Sequence, residues 1–278
     1  MSRGRIVDSQ IHIWAADRPD RPWPAAGWDG KARHVHREVP LGAEEVLAAM
    51  DDAGVARAIL VPPSWEGYYN DVVLAAARAC PGRFAAMGRF APETPVEALR
   101  TWREEPGLLG VRLIVPPGAA LAAVDHSFWS TAAELDVPLM LHPVGQNALV
   151  AAIAERHPGL RLALDHMGTG LVGEGLDEFA QEDEVLALAA RPNICVKLSA
   201  MPCHSRRPGR PWADMTPRLR RLVDAFGPQR CFWGSDLSRL PCAYKDLVDH
   251  FTQDLTWLSG EDLRLVMGEA ILRWLRWD

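Results

Sequence analysis

The chain has no run of about 18 consecutive apolar residues, the length a membrane-spanning helix needs, although 48% of its 278 residues are hydrophobic. That apolar share argues against a disordered chain. A basic field is also missing: the net charge is −6, which argues against a nucleic-acid partner. The five cysteines are an odd number and none forms a C-x-x-C pair. Cys195 and Cys231 lie in apolar, strand-like runs and read as buried hydrophobes. Met1-Ser2-Arg3-Gly4-Arg5 runs straight into Ile6-Val7-Asp8 without the apolar core of a signal peptide, so a reducing cytoplasm is the expected location. No linker, low-complexity tract or charge run divides the chain, which reads as one domain over residues 1–278.

What is present is alternation. Short apolar runs, the candidate strands, cover Arg5 to Gln10, Arg57 to Val61, Phe84 to Gly88, Gly110 to Ile114, Pro138 to His142, Arg161 to Asp165, Asn193 to Leu198 and Cys231 to Gly234. They are apolar on both faces, as strands buried beneath helices are. Between them lie Ala- and Leu-rich helical stretches: Ala43 to Ala53, Asp71 to Cys80, Ser127 to Leu135, Ala148 to Arg156, Leu176 to Ala190, Arg218 to Phe226 and Lys245 to Leu258. Gly54 and Pro81-Gly82 supply helix stops. Eight such units in one α/β chain predict a (β/α)8 TIM barrel. A doubly wound open sheet is the runner-up, weakened because no G-x-G-x-x-G follows the first strand. Arg18 to Gly30 reads as a long loop, and Gly260 to Trp277 as an extra C-terminal helix closing against the barrel's side.

Catalytic groups of such barrels project from the C-terminal strand ends. Here those ends are polar. The first carries Asp8, Gln10 and His12, the last two sharing one face. The fifth ends in His142, the sixth in Asp165-His166 and the eighth in Ser235-Asp236, while the fourth carries Arg112 and the seventh Lys197. Singly, each has a bland reading. A lone histidine is more often a packed, hydrogen-bonded ring, and Asp8, Asp165 or Asp236 would serve equally as loop or helix caps. Three histidines and an aspartate closing four separate runs are harder to assign to coincidence. His34 and His36, in a loop among arginines, and His157, at a helix end, are given little part in chemistry.

The segments Val7-Asp8-Ser9-Gln10-Ile11-His12-Ile13-Trp14, Leu139 to Pro143, Leu164-Asp165-His166-Met167-Gly168, Val196 to Ser199 and Phe226-Gly227-Pro228 with Phe232 to Asp236 resemble the amidohydrolase superfamily. Within it they resemble the amidohydrolase-2 group of short TIM-barrel hydrolases, which includes sugar and dicarboxylate lactonases. The family pattern is His-x-His on the first strand, His on the fifth and sixth, and Asp on the eighth. His12, His142, His166 and Asp236 match it, whereas Gln10 stands where the first histidine belongs. A carboxamide is a poor zinc ligand. His12, His142 and Asp236 would still make three ligands, so a site with no metal and a site with one divalent metal (zinc) both stay open.

The resemblance implies hydrolysis of a lactone. Asp236 would act as general base on water, with His12, His142 and His166 orienting that water and polarising the carbonyl. Gln10, Arg112, Lys197, Arg206, Arg207 and Trp14 are expected to contact a small anionic lactone, with Trp23, Trp28 and Trp65 as further walls and Trp274 and Trp277 as packing. A solvated loop is the bland reading of Arg206 and Arg207. Two rivals are a zinc-dependent decarboxylase of an aromatic or muconate-like acid and a non-catalytic ligand-binding relic. Assembly into a homo-oligomer is left open by the sequence.

Overall fold

The computed structural model describes residues 5–25, 35–91, 93–114, 124–143, 145–170 and 181–278. Eight parallel strands lie in chain order in one sheet: β1 (Val7–Ile11), β2 (Arg57–Leu60), β3 (Phe84–Arg89), β4 (Leu108–Ile114), β5 (Leu139–His142), β6 (Leu162–Leu164), β7 (Ile194–Leu198) and β8 (Cys231–Trp233). β8 returns beside β1, where the Asp236 N–H donates to the Gln10 carbonyl at 2.9 Å. The (β/α)8 barrel expected from the alternation is the observed fold.

Helices cover the outside: α1 (Ala43–Ala53), α2 (Asp71–Ala79), α3 (His126–Glu134), α4 (Asn147–Arg156), α5 (Glu182–Leu188), α6 (Met201–His204), α7 (Thr216–Phe226) and α8 (Tyr244–Asp249). In α1, Val46, Met50 and Ala53 form the buried stripe, each large aliphatic contributing about 1.5–3 kcal/mol. Gly54 ends α1 in the left-handed region at φ 75°, which glycine enters without steric cost. The helix expected over Lys245 to Leu258 is shorter: α8 passes into a π-helical turn at His250–Asp254. The short α6 was not anticipated. Of the helix expected over Leu176 to Ala190, residues 176–180 lie outside the described residues, as do Trp28 and His34.

The C-terminal segment closes the floor of the barrel, not its side. It consists of α9 (Gly260–Arg264), a π-helical turn (Leu265–Glu269) and α10 (Ala270–Leu275). Leu265, Ala270, Ile271 and Leu275 pack with Val7, Ile59, Met87, Met140, Ala163, Cys195 and Phe232 inside the barrel. Trp274 and Trp277 pack there as expected, the Trp274 ring lying 5.4 Å from that of Phe232. The side chains of Arg57 and Arg161, at the starts of their strands, donate to the Trp277 and Trp274 carbonyls.

Strand alternation then sets the mouth. Met87, Met140, Ala163 and Cys195 belong to the interior apolar cluster. Two residues further on stand Arg89, His142, Asp165 and Lys197, which share the inward face one layer nearer the C-terminal rim. Arg112 enters the same layer, in register with Arg89 on one side and Met140 on the other. An apolar plug thus supports a polar layer.

Candidate active site

The register of β1 against β2 shifts between Asp8 and Ile11, an irregularity of the kind that re-aims side chains at barrel rims. The Asp8 carboxylate fixes this seam. Its Oδ1 accepts the N–H groups of Gln10 and Ser235, both at 2.9 Å, and its Oδ2 accepts the Tyr244 hydroxyl at 2.6 Å. Asp8 therefore satisfies loop amides, the bland role allowed for it.

Asp236 follows β8 in the left-handed region at φ 56°, a conformation aspartate tolerates better than most residues. It is 1% exposed. Its Oδ1 lies 3.2 Å from His12 Nε2 and its Oδ2 4.0 Å from His166 Nε2. Burial opposes its ionisation, but the contact with His12 leads the effects that outweigh burial and hold the carboxyl well below the usual range. Neither carboxylate oxygen receives a well-aligned hydrogen bond from a described residue.

The imidazole tautomers follow from their partners. His12 Nδ1 lies 2.7 Å from the Val61 carbonyl, so it carries the proton. Lys197, which can only donate, donates to Gln10 Oε1. This turns the Gln10 amide nitrogen toward His12 Nε2, at 3.2 Å. His12 Nε2 thus stands between the Gln10 amide and Asp236 Oδ1, each at 3.2 Å. The Ser199 hydroxyl lies 3.0 Å from His166 Nδ1 while accepting the His166 N–H at 3.2 Å, so Nδ1 is the acceptor and Nε2–H points toward Asp236. Burial lowers His166 well below the usual histidine range, keeping it neutral. His142 stands edge-on to His166 with ring centroids 5.3 Å apart.

Beneath these groups, Asp165 Oδ1 accepts from Lys197 Nζ and Oδ2 from Arg112 Nε, both at 2.8 Å. Burial would raise Asp165, but the two cations together hold it well below the usual carboxylate range. Burial likewise pulls Lys197 down, against Asp165. Arg112–Asp165–Lys197–Gln10–His12–Asp236 thus forms one chain of polar contacts across the barrel.

The chain opens into a cavity of about 40 Å³ lined by His12, His142, His166, Asp236 and Arg112, with His36, Trp65 and Arg239 as further walls. At roughly 10–15 Å³ per water centre, that space holds a few waters or one small polar group. A larger hollow of about 260 Å³ between α3 and α4 is lined by residues such as Trp129, Leu149 and His157 and contains no carboxylate.

The structure brings His12, His142, His166, Asp236, Gln10, Arg112 and Lys197 together as expected, but Arg112 and Lys197 are paired through Asp165. Arg206 and Arg207 are exposed and border a separate groove with Cys203 and Trp212. That groove does not meet the expectation that they contact a substrate in the central cavity. Trp14 is 2% exposed and packs edge-on behind Trp65, at 5.1 Å, so it supports the wall without lining it. Trp23 is half-buried and donates to the Ala15 carbonyl. His36, given little weight in the sequence, packs edge-on against Trp65 at 4.6 Å, lies 5.7 Å from the His12 ring and pairs with Ser238 Oγ at 2.7 Å. Burial pushes its pKa down to about 3.

Zinc needs three converging donors, and here His12 Nε2 is shared between the Gln10 amide and Asp236 Oδ1, each at 3.2 Å. Among the described residues no three His, Cys, Asp or Glu side chains converge on a point that could hold a metal ion. The set formed by His12, His142 and Asp236 does not fit zinc in this arrangement.

The barrel carries a titratable polar cavity at the C-terminal ends of its strands. The chain belongs to the amidohydrolase family, whose model matches residues 7–277. It is 30% identical to a 4-sulfomuconolactone hydrolase of Hydrogenophaga intermedia over 69% of this chain and 64% of that protein. It is 26% identical to an L-fucono-1,5-lactonase of Burkholderia ambifaria over 91% of this chain and 85% of that protein. An amidohydrolase of Burkholderia multivorans with bound zinc shares the fold at TM-score 0.77 and 24% identity, covering 99% of this chain and 100% of that one. No described helix is long and apolar enough to cross a membrane.

Proposed function

We propose that residues 1–278 form one barrel domain that hydrolyses a small lactone. The observation that carries this reading is the approach of His12 Nε2 to Asp236 Oδ1 at 3.2 Å. With His12 neutral, two acceptors face each other and are stabilised by a proton placed between them. A water in the cavity supplies that proton as its oxygen attacks the lactone carbonyl, forming the new C–O bond. His166 Nε2–H donates to the oxygen on which charge develops, and His142 orients the attacking water. When the tetrahedral intermediate collapses, the ring C–O bond breaks and Asp236 returns the proton to the leaving oxygen. The product is a hydroxy acid. Gln10 holds the His12 ring, and Asp165 holds Lys197 and Arg112.

An alkoxide or enolate leaves far more readily than an amide nitrogen, which suits a site without a Lewis acid. The relatives named as lactone hydrolases support the same class. The decarboxylase alternative depends on a firmly held metal, which the donor geometry disfavours. The non-catalytic alternative leaves the His12–Asp236 pair without a purpose. The test is a hydrolysis screen over neutral and carboxylated lactones beside simple esters and amides. Lactone opening is expected to dominate, and decarboxylation or amide cleavage without lactone turnover would refute the reading.

A further inference from the structure

In the sequence, Arg112, Lys197, Arg206 and Arg207 are the charges expected to bind an anion. Two of these share the single Asp165 carboxylate and two lie away from the cavity. Another cation occupies the polar layer. Arg89 closes β3 in register with Arg112 and is 6% exposed. Among the described residues no carboxylate pairs with it, and its buried Nη1 has no hydrogen-bond partner. The Tyr68 ring lies 5.4 Å from its Cζ, and Tyr68 is itself 45% exposed. Burial, with the charge of Arg112 beside it, pushes Arg89 down to about 10, so it stays cationic at neutral pH.

A buried guanidinium without an anion is costly, yet the fold fixes the main chain that carries this one. Asn70 Oδ1 accepts the Arg89 N–H at 2.7 Å, and Asn70 Nδ2 donates to the Arg89 carbonyl at 3.0 Å. The side chain follows Met87 on the inward face, beside the Arg112 that lines the cavity. The geometry points to Arg89 as a specificity-determining residue that receives a carboxylate or sulfonate carried by the substrate away from the bond being broken. An incoming anion supplies the missing acceptor and offsets the repulsion between Arg89 and Arg112. Tyr68, over the guanidinium, forms the outer wall of this subsite.

This assignment rests on the lactone reading for its substrate, so the experiment separates the two. Wild type, Arg89→Met and Arg89→Lys are assayed on paraconic acid, a γ-lactone bearing one carboxylate, and on its neutral primary amide. Succinate binding is measured by calorimetry in parallel. Arg89→Met is expected to lower kcat/KM for the acid by about 10- to 100-fold, chiefly through KM. It should leave turnover of the neutral amide within about twofold, and Arg89→Lys should recover part of the loss. Succinate should bind wild type and weaken about 10-fold or more in Arg89→Met. Equal losses on both lactones, or succinate binding that is absent or indifferent to Arg89, would overturn the assignment. If wild type opens neither lactone, the succinate titration decides Arg89, and the lactone reading is decided by the wider hydrolysis screen.

Discussion

Lys197 and Arg112 grip opposite oxygens of Asp165, at 2.8 Å each, directly below the cavity. The trio carries one net positive charge into the interior, and it fixes the donor that orients Gln10 and, through Gln10, His12. Stability and site geometry are therefore coupled at one carboxylate.

Asp165→Asn is expected to destabilise the fold by about 3–5 kcal/mol, because two buried cations lose their counter-charge. The pH dependence has a definite sign. The folded pKa of Asp165 lies below its ordinary 3.8, so its stabilisation is fully present above about pH 4 and is lost as pH falls through the lower folded value. Denaturant unfolding from pH 7 to 3 should show the mutational gap narrowing only below pH 4. A gap that already closes between pH 7 and 5 would contradict the pairing.

The rate profile follows from Asp236. Its carboxyl is held well below the usual range, so it remains an ionised base throughout the mildly acidic range. No acid limb attributable to this carboxyl should appear in kcat/KM above pH 4. A limb with a midpoint near 5 that vanishes on substitution of Asp236 would show that its burial prevails over its histidine neighbours.

Metal removal is the third test. With His12 Nε2 shared between the Gln10 amide and Asp236, dialysis against a strong chelator should leave lactone turnover within about twofold, and elemental analysis of active protein should find well under one zinc per chain. Gln10→His removes the amide and places a second imidazole beside Lys197. It is expected to raise zinc content measurably. Full, tightly held zinc in active wild-type protein would contradict the geometry.

The barrel floor is tested at Gly268, where a Cβ would meet the Arg5 carbonyl and the Val7 side chain. Gly268→Ala must displace the first strand or the closing helices, and about 1–3 kcal/mol of lost stability is expected, read as a lower urea midpoint. An unchanged midpoint would mean that the segment does not seal the barrel.

These tests reach features that were unequally visible in the sequence. The strands were legible because each is a short apolar run ending in polar residues, and the same signal located His142, His166 and Asp236. It also marks Arg89, two residues after Met87, but a single arginine after Met-Gly passed as a strand boundary. The sharing of Asp165 by Arg112 and Lys197 was invisible, since it depends on Asp165 entering the barrel between them from an intervening strand. Arg206 and Arg207 misled because charge density in a loop says nothing about which groove the loop borders. His36 was undervalued for a related reason: only the fold brings its loop back over the mouth against Trp65. The position of the closing helices followed from Leu265, Ile271 and Leu275 matching the barrel's inner residues, a match that periodicity alone does not register.

The most direct test of the proposed chemistry is steady-state turnover by Asp236→Asn on a lactone the wild type opens. The isosteric amide keeps the cavity's shape but cannot take the proton from water. A fall in kcat of about 10²- to 10⁴-fold, with KM within a few-fold of wild type and an unchanged melting temperature, is the predicted result. Turnover equal to wild type in a folded Asp236→Asn protein would contradict it.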